Sequence, residues 1–146
     1  MDNISPIWFD KSLDISHLKA MGTIFMSHML GMEWEGITAN TLQMSMPVND
    51  NSKQPYGLLH GGASCALAET VGSVASFLVI DSSKFVCMGQ EISASHLRAV
   101  NAGKIWATAT PLHLGRTTHV WDIRLEDESE NLVCISRLTV AIRPKQ

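Results

Sequence analysis

The hydrophobic period of the chain changes twice, and the changes mark its elements. Across Ser12 to Leu30 the apolar positions Leu13, Ile15, Leu18, Met21 and Phe25 recur at spacings of two to four, which predicts short helical pieces broken at Gly22 and ended at Gly31. These pieces are expected to cover one edge or end of the fold. From Met32 the period becomes two. Leu42, Met44, Met46 and Val48 alternate with Thr41, Gln43, Ser45 and Pro47, a half-buried strand whose hairpin partner begins at Met32 and Trp34 and turns near Ala39 and Asn40. Asn49 to Gly57 carries the turn chemistry of a loop. His60 to Ile80 reads as the one long helix, with Ala63, Leu67, Val71, Val74 and Leu78 at helical spacing. Its opposite side holds Ala66, Ala68, Gly72 and Ala75 rather than charge, so the helix is expected to be buried nearly all round. Four more strands follow, Phe85 to Arg98, Lys104 to His113, Thr118 to Glu126 and Leu132 to Ile142, separated by Gly-, Asn- and Asp-rich turns.

One long apolar helix among strands with one wet and one packed face predicts an α+β fold, an antiparallel sheet wrapped around a buried helix. At 146 residues, 45% of them hydrophobic, the chain suits a single domain spanning 1–146, with 1–30 as its helical preamble. The net charge of −3, with no basic run, gives no footprint for nucleic acid or an anionic membrane surface. Between Lys53 and Lys84 the only charges are Glu69 and Asp81, but an acidic group in mid-membrane costs on the order of 3 kcal/mol, and a helix buried in protein is the better reading. Three widely spaced cysteines, Cys65, Cys87 and Cys134, indicate neither a disulfide framework nor a metal site. The six histidines show no ligand spacing, so neither metal nor cofactor is expected. Met1 to Asp10 lacks the basic and apolar regions of a signal peptide, from which a cytoplasmic location is expected.

The chemistry concentrates between Gln54 and Ser73. Glu69 stands mid-helix in apolar surroundings, with no Lys or Arg three or four positions away to pair it, and Ser73 and Ser76 continue its polar stripe. An unpaired carboxylate there is costly enough to favour a functional reason. Gly61 and Gly62 open the helix with free backbone N–H groups suited to an anion or a developing oxyanion, though glycines at a helix start also serve purely structural ends. Glu69 follows Gly61 by eight residues, about 12 Å along a helix axis. If both act on one reacting carbon, two chains must pack antiparallel through their long helices, as a homodimer with two equivalent sites.

With these residues the block from Gln54 to Ser73 resembles the hotdog-fold acyl-CoA thioesterases of the phenylacetate-type and 4-hydroxybenzoyl-CoA branch. The resemblance runs from about Leu30 to Pro144 and includes Glu91 to Arg98, Pro111 to Gly115 and Ser136 to Thr139. Within that branch it is nearest to the hydrolases of the menaquinone pathway. It implies hydrolysis of an aryl- or acyl-CoA thioester in a dimer, or a tetramer made of two dimers. Gly61 would donate its N–H to the thioester oxygen, and the partner's Glu69 would act as nucleophile or as the base for water. Gln54 and His60 would orient the thioester or the water, and Ser73 would hold the carboxylate or the lytic water. The resemblance also implies that His96, Arg98 and the turn of His113, Gly115, Arg116 and Thr117 contact the pantetheine and phosphates of CoA, and that Gly89 brings backbone close to the ligand. Val74 and Phe77 are the expected walls of the acyl pocket. Two alternatives remain at this point: a dehydratase acting on acyl-carrier-protein substrates, and a non-catalytic acyl-CoA binding module, which would have no need of Glu69.

Overall fold

The small side chains of the long helix determine how closely a sheet can wrap it. In the computed structural model, which describes residues 5–146, that helix is α3, Gly61–Val79. Residues 1–4, where the reading of no signal begins, lie outside the described residues. Two short helices precede it, α1 (Ile15–Met21) and α2 (Phe25–Met29), with Gly22 and Gly31 in the left-handed region where the helical pieces were expected to break. The strands are β1 (Glu33–Ile37), β2 (Leu42–Pro47), β3 (Phe85–His96), β4 (Lys104–Leu114), β5 (Thr118–Asp127) and β6 (Leu132–Pro144). They form one antiparallel sheet in the order β1-β2-β4-β5-β6-β3.

Register carries the alternation of the sequence into a continuous core. Trp34 pairs with Met44, Met44 with Ala107, Ala107 with Leu125 and Leu125 with Cys134, and all five are buried. The same row ends at His96 on β3, opposite Cys134, so packing of the core fixes where that imidazole emerges. On β5, Trp121, Ile123 and Leu125 are inaccessible to solvent while Arg124 is exposed, the split its alternation predicts.

Against this face α3 lays Ala63, Ser64, Leu67, Ala68, Val71, Gly72, Ala75 and Ser76. A Cβ at Gly72 would stand 2.7 Å from Leu138 Cδ2 and 2.9 Å from Ile123 Cδ1, so helix and sheet meet so closely that a methyl group would have to push the ends of both side chains aside. The expectation of burial on all sides is corrected here. The opposite face of α3, with Cys65, Ala66, Glu69, Thr70, Ser73 and Val74, is only half-buried, and Phe77 is 44% exposed. A sheet that covers one side of a helix leaves the other uncovered, and its residues are small or apolar rather than charged.

Strand β3 is an edge of the sheet. It pairs with β6 on one side and leaves the main-chain groups of its other side without a strand among the described residues. A bulge at Gln90 interrupts it, because Gly89 pairs with Val140 and Glu91 with Thr139.

Two stability predictions follow from this packing. Gly72→Ala should cost about 1–3 kcal/mol by overpacking Leu138 and Ile123, read as a lowered midpoint of urea or thermal unfolding. His119, 3% exposed, has its imidazole pushed below the ordinary value, first by burial and then by His113. The native state then binds fewer protons than the unfolded one, so this contribution is complete above the unfolded value of about 6.5 and falls away as pH drops below it. Urea midpoints measured from pH 7.5 down to 5 should decline, and His119→Gln should flatten the decline; parallel curves would assign the acid sensitivity to other groups.

Candidate active site

A pinned loop delivers the chain to the start of α3. The buried Ser52 hydroxyl donates to the Pro47 carbonyl at 2.8 Å and accepts the Asn49 N–H at 3.0 Å, while the His60 N–H donates to the Ser52 carbonyl. Between them Gln54 and Leu58 close a tight turn, in which Gln54 N–H donates to Leu58 O and Gly57 N–H to Gln54 O, both at 2.8 Å, with Gly57 at φ +77°. Gln54 is therefore held at the mouth of the helix by its own backbone.

At the helix start the donors are nearly all used. His60 Nδ1 accepts the Gly62 N–H at 2.8 Å, and the His60 carbonyl accepts the N–H groups of Ala63 and Ser64. Among the described residues, no acceptor takes the Gly61 N–H. His60 thus caps its own helix and leaves its Nε2 free to meet a ligand, and the one unused donor is the one the sequence singles out.

The His96 ring lies directly over Gly61, since a Cβ there would come 2.8 Å from His96 Nε2. Gln54, Gly61, Ser64, His96 and Arg98 line one cleft of about 360 Å³. Ser64, buried and one turn beyond Gly61, is not among the site residues expected from the sequence, where it only approximates the serine of a nucleophile elbow that lacks its final glycine; its i+3 spacing from Gly61 is the signal that places it on this side of the helix. Arg98 is exposed at the rim, close enough to Asp127 to help hold that carboxyl below its usual range, after the Asn131 and Ser129 hydrogen bonds.

Glu69 sits elsewhere. It is half-buried, with no ion pair among the described residues, and its carboxylate rests on the backbone of Gly89, where any side chain would overlap it. Gly89, expected to bring backbone close to the ligand, receives the Glu69 carboxylate, immediately before the Gln90 bulge. A lone glycine inside a strand pattern is the signal that marks such a close approach. Among the described residues Ser73 makes no hydrogen bond to Glu69; its carbonyl accepts from Cys87 Sγ at 3.7 Å. Of the two expected pocket walls, Val74 is half-buried and touches the core, and Phe77 is the more exposed.

The turn after β4 is not at this cleft. Gly115 and Arg116 line a separate cavity with Val79 and Ile80 at the other end of α3, about 27 Å away by the rise of an 18-step helix. His113 packs on Gly115, where a Cβ would meet its Nε2 at 2.5 Å, and Thr117 is exposed, its carbonyl accepting the Ile142 N–H. Within one chain, then, His96 and Arg98 cannot share a ligand's phosphates with Arg116, and Glu69 cannot reach a carbonyl held at Gly61. Among the described residues no group of His, Cys, Asp and Glu could hold a metal ion.

Comparison with known proteins places this geometry. Residues 56–134, more than half the chain, match the thioesterase superfamily model. The 1,4-dihydroxy-2-naphthoyl-CoA hydrolase of Escherichia coli K12 is 44% identical over 136 residues, covering 93% of this chain and 98% of that protein. The proofreading thioesterase EntH of Cronobacter turicensis is also 44% identical, over 131 residues, 90% of this chain and 93% of that one. A mutant thioesterase of Pseudomonas aeruginosa superposes with a TM-score of 0.90 at 44% identity, covering 95% of this chain and 99% of the other. Its sheet, its central helix and these relatives together make the chain a member of the thioesterase superfamily with the hotdog fold, an enzyme that hydrolyses thioesters.

Proposed function

We propose that the protein hydrolyses acyl-CoA thioesters in the cytoplasm as a homodimer whose two sites are each shared between chains. The observation that carries this reading is the separation of one unused oxyanion donor, Gly61 N–H, from one unpaired carboxylate, Glu69, by about 12 Å of rigid helix. Antiparallel packing of two α3 helices through their uncovered faces would bring the partner's Glu69 level with Gly61, and the open edge of β3 supplies main-chain groups for the same contact. The three free thiols fit a reducing compartment.

In that site the thioester oxygen accepts from Gly61 N–H, at the positive end of α3. The partner's Glu69 attacks the acyl carbon or takes a proton from a water that does so; the C–S bond breaks, and water supplies the OH of the acid and the proton of the thiol. A thiol of pKa about 8.5 leaves without a strong general acid, which suits a site this sparse. Gln54 and His60 Nε2 stand at the cleft mouth to orient the thioester or the water, with Ser73 one turn beyond Glu69 on the partner's helix. His96 and Arg98 line the path to bulk solvent, where the pantetheine and phosphates would lie. The same antiparallel packing carries the partner's Arg116 turn to the end of the dimer where this cleft opens, which keeps that turn a candidate CoA contact across the interface.

For the acyl group we infer an aryl acid, with 1,4-dihydroxy-2-naphthoyl-CoA the first substrate to test, supported by the 44% identity to the Escherichia coli hydrolase of that ester. Thiol release measured over aryl- and aliphatic-CoA esters should give the highest kcat/KM for the aryl members; a preference for long aliphatic chains would reverse the assignment.

The shared site is tested by complementation. Glu69→Ala and Gly61→Val subunits, each inactive alone, should regain about a quarter of wild-type activity on equal mixing, since half the dimers are mixed and each holds one intact site of two. Verified subunit exchange without recovered activity would refute a shared site. Gly89→Ala probes the seat of the carboxylate. Its methyl group must displace Glu69, so kcat should fall about 10- to 100-fold with little change in unfolding midpoint. Unchanged turnover would mean that the position of Glu69 seen on Gly89 is not the reacting one.

A further inference from the structure

Gln90, the inserted residue of the β3 bulge, has no Cα partner on β6, because Gly89 pairs with Val140 and Glu91 with Thr139. In an uninterrupted strand the residue after Gly89 points to the opposite face of the sheet, away from the carboxylate that rests on Gly89. A bulge sets two neighbours opposite one residue and re-aims the inserted side chain, so Gln90 is released from that alternation. It is exposed, on the edge that has no strand beyond it among the described residues. Neighbouring Cα atoms stand about 3.8 Å apart, and a glutamine side chain carries its amide beyond that distance from its own Cα. The amide is therefore within reach of the carboxylate lying against Gly89.

The other polar groups around Glu69 supply no strong donor. Among the described residues it has no ion pair, and Ser73, one turn on, makes no hydrogen bond to it. Cys65, one turn earlier, has its thiol pushed up, first by burial and then by the Glu69 charge, and so offers only a weak S–H. Cys87, on the same face of β3 as Gly89, turns its Sγ to the Ser73 carbonyl at 3.7 Å. Glu91, beyond the bulge, carries a carboxylate and can only accept when ionised. A half-buried carboxylate without a donor is costly and is not fixed in one position.

We propose that Gln90 is a positioning residue for hydrolysis: its side-chain amide N–H donates to the Glu69 carboxylate and holds it, ionised, over Gly89. Gly89 gives the carboxylate its floor and Gln90 its hydrogen bond. In each chain His96 lies over Gly61 and Gly89 lies under Glu69. The antiparallel contact that carries the partner's Glu69 to Gly61 therefore carries the partner's Gln90 to the His96 side of the same cleft, and the donor enters the site with the carboxylate it serves. The role rests on Glu69 being the reacting carboxylate of the proposed hydrolysis, and it adds no bond-making step of its own.

The test measures thiol release from benzoyl-CoA by the wild type and by Gln90→Asn, Gln90→Leu and Gln90→Glu proteins, alongside Glu69→Ala. Gln90→Leu keeps the bulk and loses the donor, so kcat should fall about 10-fold, the loss of one hydrogen bond to a charged group, with KM unchanged. Gln90→Glu keeps the shape but sets a second carboxylate beside the first, and its kcat should fall further, about 100-fold. Gln90→Asn keeps an amide on a shorter arm and should lie between, about 3-fold below wild type. A residue that only completed the bulge would not rank the variants by their donors, and the urea midpoint of all three should stay in place because the side chain is exposed. Turnover by Gln90→Leu or Gln90→Glu equal to wild type, or losses in KM rather than kcat, would overturn the proposal. Glu69→Ala separates the two levels: its inactivity beside an unaffected Gln90→Leu refutes the role of Gln90 alone, whereas its full activity refutes the reading of Glu69 and the role of Gln90 with it.

Discussion

A helix rises about 1.5 Å per residue and does not bend to suit chemistry, and that constraint governs how this protein can work. Gly61 and Glu69 are fixed on the same rod, eight residues apart, one at its first turn and one near its middle. Neither can be moved without dismantling the packing of Ala68, Val71 and Gly72 against the sheet. The core that makes α3 rigid is thus also what prevents a single chain from gathering a carboxylate and an oxyanion donor around one carbonyl. In the proposed reaction both must stand within about 3 Å of the reacting group.

Three glycines show how closely packing and site are joined. Gly72 lets helix and sheet approach in the core, Gly61 lets His96 lie over the helix start, and Gly89 gives the Glu69 carboxylate a seat on the edge strand. Each is a place where a methyl group would push a neighbour aside. At Gly61 and Gly89, the side chain that would be displaced is one the sequence had already marked for chemistry. The Gln90 bulge next to Gly89 interrupts β3 where the carboxylate meets it, so a local irregularity of the sheet sits at the contact that the proposed reaction depends on.

Most of the fold was legible in the sequence because period, capping and turn chemistry agreed. The six strands and the long helix lie within a few residues of where alternation and Gly-rich turns put them, since each strand has one wet and one packed face. The burial of α3 was misjudged because composition cannot distinguish a helix enclosed by its own chain from one that keeps an apolar side free. The cleft of Gln54, Gly61, His96 and Arg98 was legible in its members, but two residues from a distant strand reached it only through resemblance and register. The displacement of Arg116 to the far end of α3 was not legible at all: nothing in the turn after β4 says which end of the helix it faces. Nor was the His119–Ser76–Trp121 network, whose members are 43 and 45 residues apart and meet only when β5 crosses beneath the helix.

The uncovered face of α3 is the last term in the argument. Cys65, Ala66, Thr70, Ser73 and Phe77 carry no charge, and Glu69 is the one carboxylate on this face, with no ion pair among the described residues. A helix face meant for solvent would be expected to carry Lys and Glu pairs, which cost nothing there and aid solubility. An edge strand meant to stay an edge is often short or guarded by lysine or proline; β3 has twelve residues and neither, with the Gln90 bulge and Glu91 as its interruptions. Two independent surfaces, one of side chains and one of main-chain groups, are therefore open to the proposed dimer contact. Both lie beside the carboxylate, Glu69 being on one and resting against the other. In the proposed dimer a single association would cover the face, pair the edge and bring the carboxylate to the donor, so that the step completing the fold would also complete the site.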